Sequence, residues 1–356
     1  MAEFDHKILH GKNSIMRLEH LLTMMDTEDE IFCISYDPSD KYIACGCGDG
    51  AIRVYNLNTG KMAFLLPNPK KYDDFLMPVT CLRWRPTSSE MKTKNILVTC
   101  AADGSLYHWH VTSGRLLHTI EPEDNNQLFC LDYSPDGRHL AVGCKDFSVR
   151  IIDEHTKTPV EILSGGMGVP GHSNRVFSVR YSTEDPNLLV SGSWDNTVLL
   201  WDVRQAKCAG SVFGPHVCGD SIDIREEGGT TNILVGSYSN DDNLYVIDMK
   251  KMELVTNINW FGEDFEKTEY VKPSCLYAAK YTVDGKYILA GGTSRNEVKV
   301  FKNNDPVDGY KIVASVTDLE TACLTLDVSH DGNQFAFGCA DGYLRIMNME
   351  ESPAVE

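Results

Sequence analysis

The stretch Gly171–Asp202, GHSNRVFSVRYSTEDPNLLVSGSWDNTVLLWD, constrains the fold of this chain more than any other. Two strand-like runs, Val176–Tyr181 and Leu188–Ser193, are followed by a polar turn at Trp194–Asn196. A third run, Val198–Trp201, is rich in residues that favour extended backbone. The unit reads as a meander of short antiparallel strands.

Gly171-His172 ahead of the meander and Trp201-Asp202 at its end resemble the signature of the WD-repeat family, whose unit is one blade of a β-propeller. The resemblance implies a hydrogen-bonded tetrad of His172, Ser191, Asp195 and Trp201. A buried carboxylate must be paired, and imidazole and indole N–H groups need acceptors, so the four residues answer one another's requirements. The same His172, Asp195 and Ser191 could be read as a hydrolase triad, but the blade accounts for all three at once.

The cycle recurs along the chain. IFCISYDPSD (Ile31–Asp40), YIACGC (Tyr42–Cys47), Gly48-Asp49-Gly50 and AIRVYNL (Ala51–Leu57) repeat it, with Met62–Leu66 as a fourth strand. First strands follow from Val79, Leu128, Phe177, Asp220, Tyr277 and Leu324, giving seven cycles. Turn acids fall at Asp49, Asp103, Asp146, Asp195 and Asp341, less clearly at Asp242 and Ser294–Asn296. Only the fourth cycle carries both dipeptides. The expected fold is all-β, a seven-bladed propeller of four-stranded antiparallel blades over residues 14–349, with a polar leader at 1–13 and a short acidic tail at 350–356. The seventh cycle ends near Met349 after three strands, and Ser14–Leu22, with Met16, Leu18 and Leu22 on one alternating face, supplies its fourth. Such closure leaves no open face between blades.

Composition narrows the class. With 356 residues and a formal net charge of −18, the chain is poorly suited to neutralising phosphates, which argues against direct nucleic-acid binding and against anionic membranes. The N-terminus lacks a basic region followed by an apolar run, and no segment approaches ~18 consecutive apolar residues, so a soluble intracellular protein is expected. The location expected is cytoplasmic, with nuclear or ciliary sites left open.

Aligning the cycles vertically explains the twelve cysteines. One column holds Cys33, Cys81, Cys130, Ser178, Ser221, Ala278 and Thr325, and another holds Cys47, Ala101, Cys144, Ser193 and Cys339. Both call for small side chains where blades converge, a place free Cys suits. Cys45-Gly-Cys47 lacks a second ligand pair at zinc spacing, so no metal is expected. Gly46-Cys-Gly48-Asp-Gly50 is followed by neither an amphipathic helix nor Lys-Ser/Thr, so it reads as a turn rather than a phosphate cradle. No HExxH, GxSxG or kinase set occurs, and neither a cofactor nor catalytic residues are expected.

Propeller geometry places the connections between blades, and the turns between second and third strands, on one upper face. Several of these connections are acidic: Asp26–Glu30, Glu121–Asp124, and the segment bearing Glu263, Asp264, Glu266 and Glu269. Together they would give that face a negative field. The residue before the first small column is Phe32, Thr80, Phe129, Phe177, Asp220, Tyr277 and Leu324 in turn. In peptide-reading relatives this column and the residue two before it form a contact ring, so the resemblance adds Arg175, and Trp194 joins the same face. Aromatic anchors inside an acidic rim suit an Arg or Lys side chain. The expected site therefore comprises Phe32, Phe129, Arg175, Phe177, Trp194, Asp220 and Tyr277, with Glu30, Glu121 and Glu263 on the rim.

The function expected is a non-catalytic scaffold, a monomeric propeller within a larger complex, holding proteins with basic segments. The alternatives are an enzyme working in the central channel, disfavoured by a ring expected to be apolar apart from Asp220, and a structural subunit of a ciliary or cytoskeletal complex binding through blade sides.

Overall fold

The computed structural model describes residues 6–11, 14–70, 76–87, 93–121, 126–166, 168–227, 229–262, 272–303 and 309–351. They form seven antiparallel sheets arranged as the blades of a ring. The innermost strands are Ile31–Tyr36, Val79–Trp84, Leu128–Tyr133, Val176–Tyr181, Ile222–Glu227, Cys275–Tyr281 and Cys323–Val328, for blades 1 to 7 in turn. Each touches the next, and the seventh returns to the first. The only helical element among the described residues is a 3-10 turn at Val111–Ser113.

Both ends of the chain build blade 7. The strand β2 (Met16–Met24) lies antiparallel to Leu344–Glu351, with Leu18 opposite Met349 and Met24 opposite Leu344. Met16, Leu18 and Met24 are buried, the alternation that made this run a strand in search of a sheet. The last strand continues to Glu351, taking the first two residues of the acidic tail into the sheet. The polar leader also differs from expectation. Lys7–His10 forms a strand, β1, on the outer edge of blade 6, pairing with Ala314–Thr317 and making that sheet five-stranded. The backbone N–H of Leu18 donates to His10 Nε2, which fastens the turn between β1 and β2.

A recurring irregularity prepares the upper face. In six blades the ladder between first and second strands slips by one residue at the same place. Ile31 pairs with Cys47 and Cys33 with Gly46, so Phe32 faces no partner. Thr80, Phe129, Phe177, Tyr277 and Leu324 are skipped in the same way. These are β-bulges, which release one residue from the ladder and re-aim its side chain. Blade 5 pairs continuously from Ile222, and Asp220 precedes its strand.

Below the bulge the blades converge. A Cβ at Gly46 would fall 2.5 Å from Cys33 Sγ and 2.6 Å from Val79 Cγ1 of the next blade, and Gly143 meets Cys130 and Val176 in the same relation. Small side chains in the Cys33 column are the complement of these glycines. All twelve cysteines are free thiols, ten of them buried.

Candidate functional site

The bulged residues and the turns beside them carry the upper face. Phe129 of blade 3 stacks on Phe177 of blade 4 (centroids 4.6 Å apart), Phe177 on Trp194 (4.8 Å), and Trp194 on His216 of the connection to blade 5 (5.9 Å). All four rings are half-buried. Offset rings at these separations attract beyond their area burial. His216 is held by Asn196 Oδ1, 2.7 Å from its Nδ1, and by its backbone N–H, which donates to Ser237 Oγ. Burial lowers its pKa, favouring the neutral ring. The Arg175 guanidinium lies 5.5 Å from the Trp194 ring centre, so the chain itself supplies a cation to that face.

The remaining expected residues are dispersed. Tyr277 packs against Tyr238 at 5.2 Å. Phe32 is 38% exposed and lies, with Glu30, against Gly48 in blade 1. Glu121 is exposed, and Lys70 Nζ stands 3.9 Å from its carboxylate. Glu263 lies outside the described residues, as do Glu123, Asp124, Asp264, Glu266 and Glu269.

Asp220 does not stand open at the channel mouth. Its carboxylate takes Arg83 Nη2 of blade 2 at 2.7 Å and Lys280 Nζ of blade 6 at 3.1 Å, with Arg180 at 3.7 Å. Burial alone would raise its pKa, but the Arg83 and Arg180 guanidiniums outweigh that effect and hold it below the ordinary value. One further column explains the cations: Arg83, Asp132, Arg180, Asp223, Lys280 and Asp327 alternate in sign around blades 2 to 7. Three of the acids also latch adjacent blades. Asp132 accepts the backbone N–H of Tyr181, Asp223 that of Tyr281, and Asp327 that of Tyr36 across the closure. Beneath the mostly apolar ring of the Phe32 column, the channel is therefore charged, through a column that the sequence reading did not single out.

In blade 4 the structure brings His172, Ser191, Asp195 and Trp201 together. Trp201 Nε1 donates to Ser191 Oγ at 2.7 Å, Ser191 Oγ lies 2.7 Å from His172 Nε2, and His172 Nδ1 lies 2.9 Å from Asp195 Oδ2. A serine that accepts from the indole donates to Nε2, which assigns the imidazole proton to Nδ1. Burial raises the Asp195 pKa, but His172, Thr197 and the Ser173 N–H more than offset this and bring it to about 2. Ser191 is fully buried and its oxygen is committed to Trp201, which leaves no open face for an acyl group.

Other blades fasten the turn acid differently. Asp49, Asp146 and Asp341 each pair with an arginine four residues on: Arg53 at 2.8 Å, Arg150 at 2.9 Å and Arg345 at 3.1 Å. Asp103 takes Lys70 at 2.9 Å and the Tyr107 hydroxyl at 3.0 Å. In blade 6, Glu297 accepts from Trp260 Nε1 at 2.7 Å, with Lys299 beside both. The Asp-x-x-x-Arg spacing is visible in the sequence and marks these substitutes.

Comparison with known proteins agrees with this architecture. The family described as "WD domain, G-beta repeat" matches residues 166–202, and "Anaphase-promoting complex subunit 4 WD40 domain" matches residues 15–87 and 91–170. The chain is 22% identical over 282 residues to the periodic tryptophan protein 2 homolog of Dictyostelium discoideum, covering 79% of this chain and 26% of that protein. It is 28% identical over 203 residues to the U3 small nucleolar RNA-associated protein 21 homolog of Schizosaccharomyces pombe, covering 56% of this chain and 20% of the relative. Against THO complex subunit 3 of Arabidopsis thaliana the identity is 23%, over 66% of this chain and 67% of that protein. The chain thus spans about a quarter or less of the length of the first two of these relatives.

Proposed function

Because the chain belongs to the WD-repeat β-propeller family, we propose that it is a non-catalytic scaffold holding protein partners within a multiprotein assembly, and that a basic segment of a partner docks on its upper face. The observation that carries this reading is the continuous, half-buried stack Phe129–Phe177–Trp194–His216, with Phe129 and Phe177 at bulges and Trp194 and His216 in the turn and the connection beside them. Glu30 and Glu121 are exposed acids on the same face, placed to steer a cationic chain toward the rings. Asp220 serves the channel instead, since its carboxylate is already shared by Arg83 and Lys280.

The relative named THO complex subunit 3 and the matching family named for anaphase-promoting complex subunit 4 favour an assembly subunit over an isolated enzyme. Likeness to a relative named for association with a small nucleolar RNA favours a nuclear or nucleolar location over the cytoplasmic one expected from the sequence. The channel acids are engaged with cations and backbone N–H groups, which speaks for a structural rather than a catalytic use.

The test is capture of partners from cells by the intact chain and by Phe177→Ala, followed by measured association with an Arg/Lys-rich segment of whichever partner is lost. Loss of the same partner on reversing Glu30 and Glu121 to Lys supports the reading. Partners that survive both changes place binding elsewhere.

A further inference from the structure

Among the described residues, blade 6 alone carries a fifth strand, β1, and the cover it gives is slight. β1 pairs Lys7–His10 with Ala314–Thr317, on an outer strand that runs from Lys311 to Thr317. Of its four side chains only Ile8 is half-buried, packed against the cluster that holds Val313, Ala314 and Val316. Lys7 Nζ meets Asp318 Oδ2 at 2.7 Å, but both side chains are exposed, and pairs of that kind hold weakly. Two further contacts sit at the ends of β1. The His6 ring packs on the His20 ring of β2, 5.2 Å between centres, and His10 Nε2 accepts the Leu18 N–H.

What lies beneath β1 is not composed as an edge. The outer strands of blades 1 to 5 bury at most one residue each, whereas Val313, Ala314, Ser315 and Val316 are buried in succession. The bulges between third and fourth strands show the same contrast. The skipped residue is Leu117 in blade 2, Val160 in blade 3 and Val255 in blade 5, all exposed, but in blade 6 it is the buried Val313. Gly11 crosses that bulge. Its N–H donates to the Val313 carbonyl at 2.8 Å, and a Cβ on it would collide with the Ile312 carbonyl oxygen. An apolar sheet edge supplies both halves of strand addition: backbone groups for affinity and alternate side-chain sites for specificity.

We propose that the outer edge of blade 6 is a strand-acceptor site for a protein partner, with β1 as its resident occupant, displaced when the partner's segment adds in its place. The chemistry of that segment is read from β1. It is extended, with a cation to meet Asp318, an aliphatic residue next to it for the Ile8 site, and a glycine four residues after the cation, where the two backbones close up. β1 competes from the same chain at high effective concentration, so a partner takes the edge by pairing along more of Lys311–Thr317 than the four residues β1 uses. The aromatic stack belongs to blades 3 and 4 and the connection to blade 5, so this site stands or falls independently of the upper-face reading.

A fluorescent peptide of residues 5–11 is the probe, followed by polarisation with the intact chain and with Leu9→Pro, in which proline interrupts β1. Binding at least tenfold tighter to Leu9→Pro is the expected result. Amide hydrogen exchange locates it: protection at residues 314–317 falls in Leu9→Pro and returns when the peptide is added. Should Leu9→Pro disturb the fold, the double variant Lys7→Glu/His10→Ala alters only exposed side chains of β1 and should still bind the peptide about threefold tighter than the intact chain. Adding Asp318→Asn to Leu9→Pro should weaken the peptide about threefold, and a peptide carrying Lys7→Gln should not distinguish the two chains. No binding to either β1 variant, or binding that leaves exchange at residues 314–317 unchanged, overturns the proposal. So does a concentration-dependent dimer of the intact chain that exchanges β1 between copies, which makes a second copy the occupant.

Discussion

Arg83 and Asp220, on blades 2 and 5, meet at 2.7 Å inside the channel, although neither blade touches the other in the ring. Lys280 and Arg180 converge on the same carboxylate. The channel is thus cross-braced as well as ringed. Buried pairs of this kind add little net stability when intact, but removing one partner leaves an uncompensated charge. Arg83→Met is expected to cost roughly 3–5 kcal/mol in urea unfolding. The double change Arg83→Met/Asp220→Asn should cost less than the sum of the singles, with coupling of roughly 1–3 kcal/mol.

Removing residues 1–24 takes away β1 and the outer strand of blade 7 and exposes the edge of Leu344–Glu351. The melting temperature should fall by roughly 10 °C or more. Removing residues 1–10 takes only the added strand on blade 6 and should lower it far less. Equal effects of the two truncations would show that closure does not depend on β2.

Trp201 is fully buried and donates to Ser191. Trp201→Ala should destabilise by roughly 3–5 kcal/mol, part from the cavity and part from the Ser191 oxygen left short of a donor. Urea melts read this directly, and a loss below about 1 kcal/mol would show that the tetrad carries little of blade 4.

Two acids give opposite pH signatures. Asp195 has a folded pKa of about 2, below its unfolded value, so its stabilisation is present above the unfolded pKa and is lost as pH falls toward 2. The stability gap between wild type and Asp195→Asn should narrow by about 2 kcal/mol between pH 5 and pH 2. Asp223, raised to about 6, binds its proton more tightly when folded, so its contribution favours folding below pH 4 and declines as pH rises to 6. Asp223→Asn should flatten that decline, as seen in melts across the same range.

Arg175 covers one face of Trp194. If basic segments compete for that face, Arg175→Ala should strengthen their binding and slow their release, while Trp194→Ala should weaken it. Surface plasmon resonance with the captured partner segment separates these outcomes.

The seven cycles and the closing strand were legible because burial imposes alternation: Met16 and Leu18 announce a half-buried strand even though their partner lies over 300 residues away. The blade 4 cluster was legible for the same reason, since His, Ser, Asp and Trp in one short unit satisfy one another. Lys7–His10 escaped notice because a four-residue edge strand with only Ile8 half-buried leaves almost no pattern. The alternating charges of the channel were available one column beyond those read, at Arg83, Asp132, Arg180, Asp223, Lys280 and Asp327. They were missed because sign alternation across blades has no local periodicity. His216 could not be recognised as part of the stack, because its place beside Trp194 depends on how a connection folds between blades.

The bulges bear on how such a surface changes over time. Phe32, Thr80, Phe129, Phe177, Tyr277 and Leu324 sit opposite no residue of the neighbouring strand, so ladder register places no demand on their identity. The skipped positions hold aromatic, hydroxyl and aliphatic side chains alike, while the small column one residue later is held to size by glycine contacts. One letter of each first strand is thus released from strand pairing, while the next answers to packing between blades.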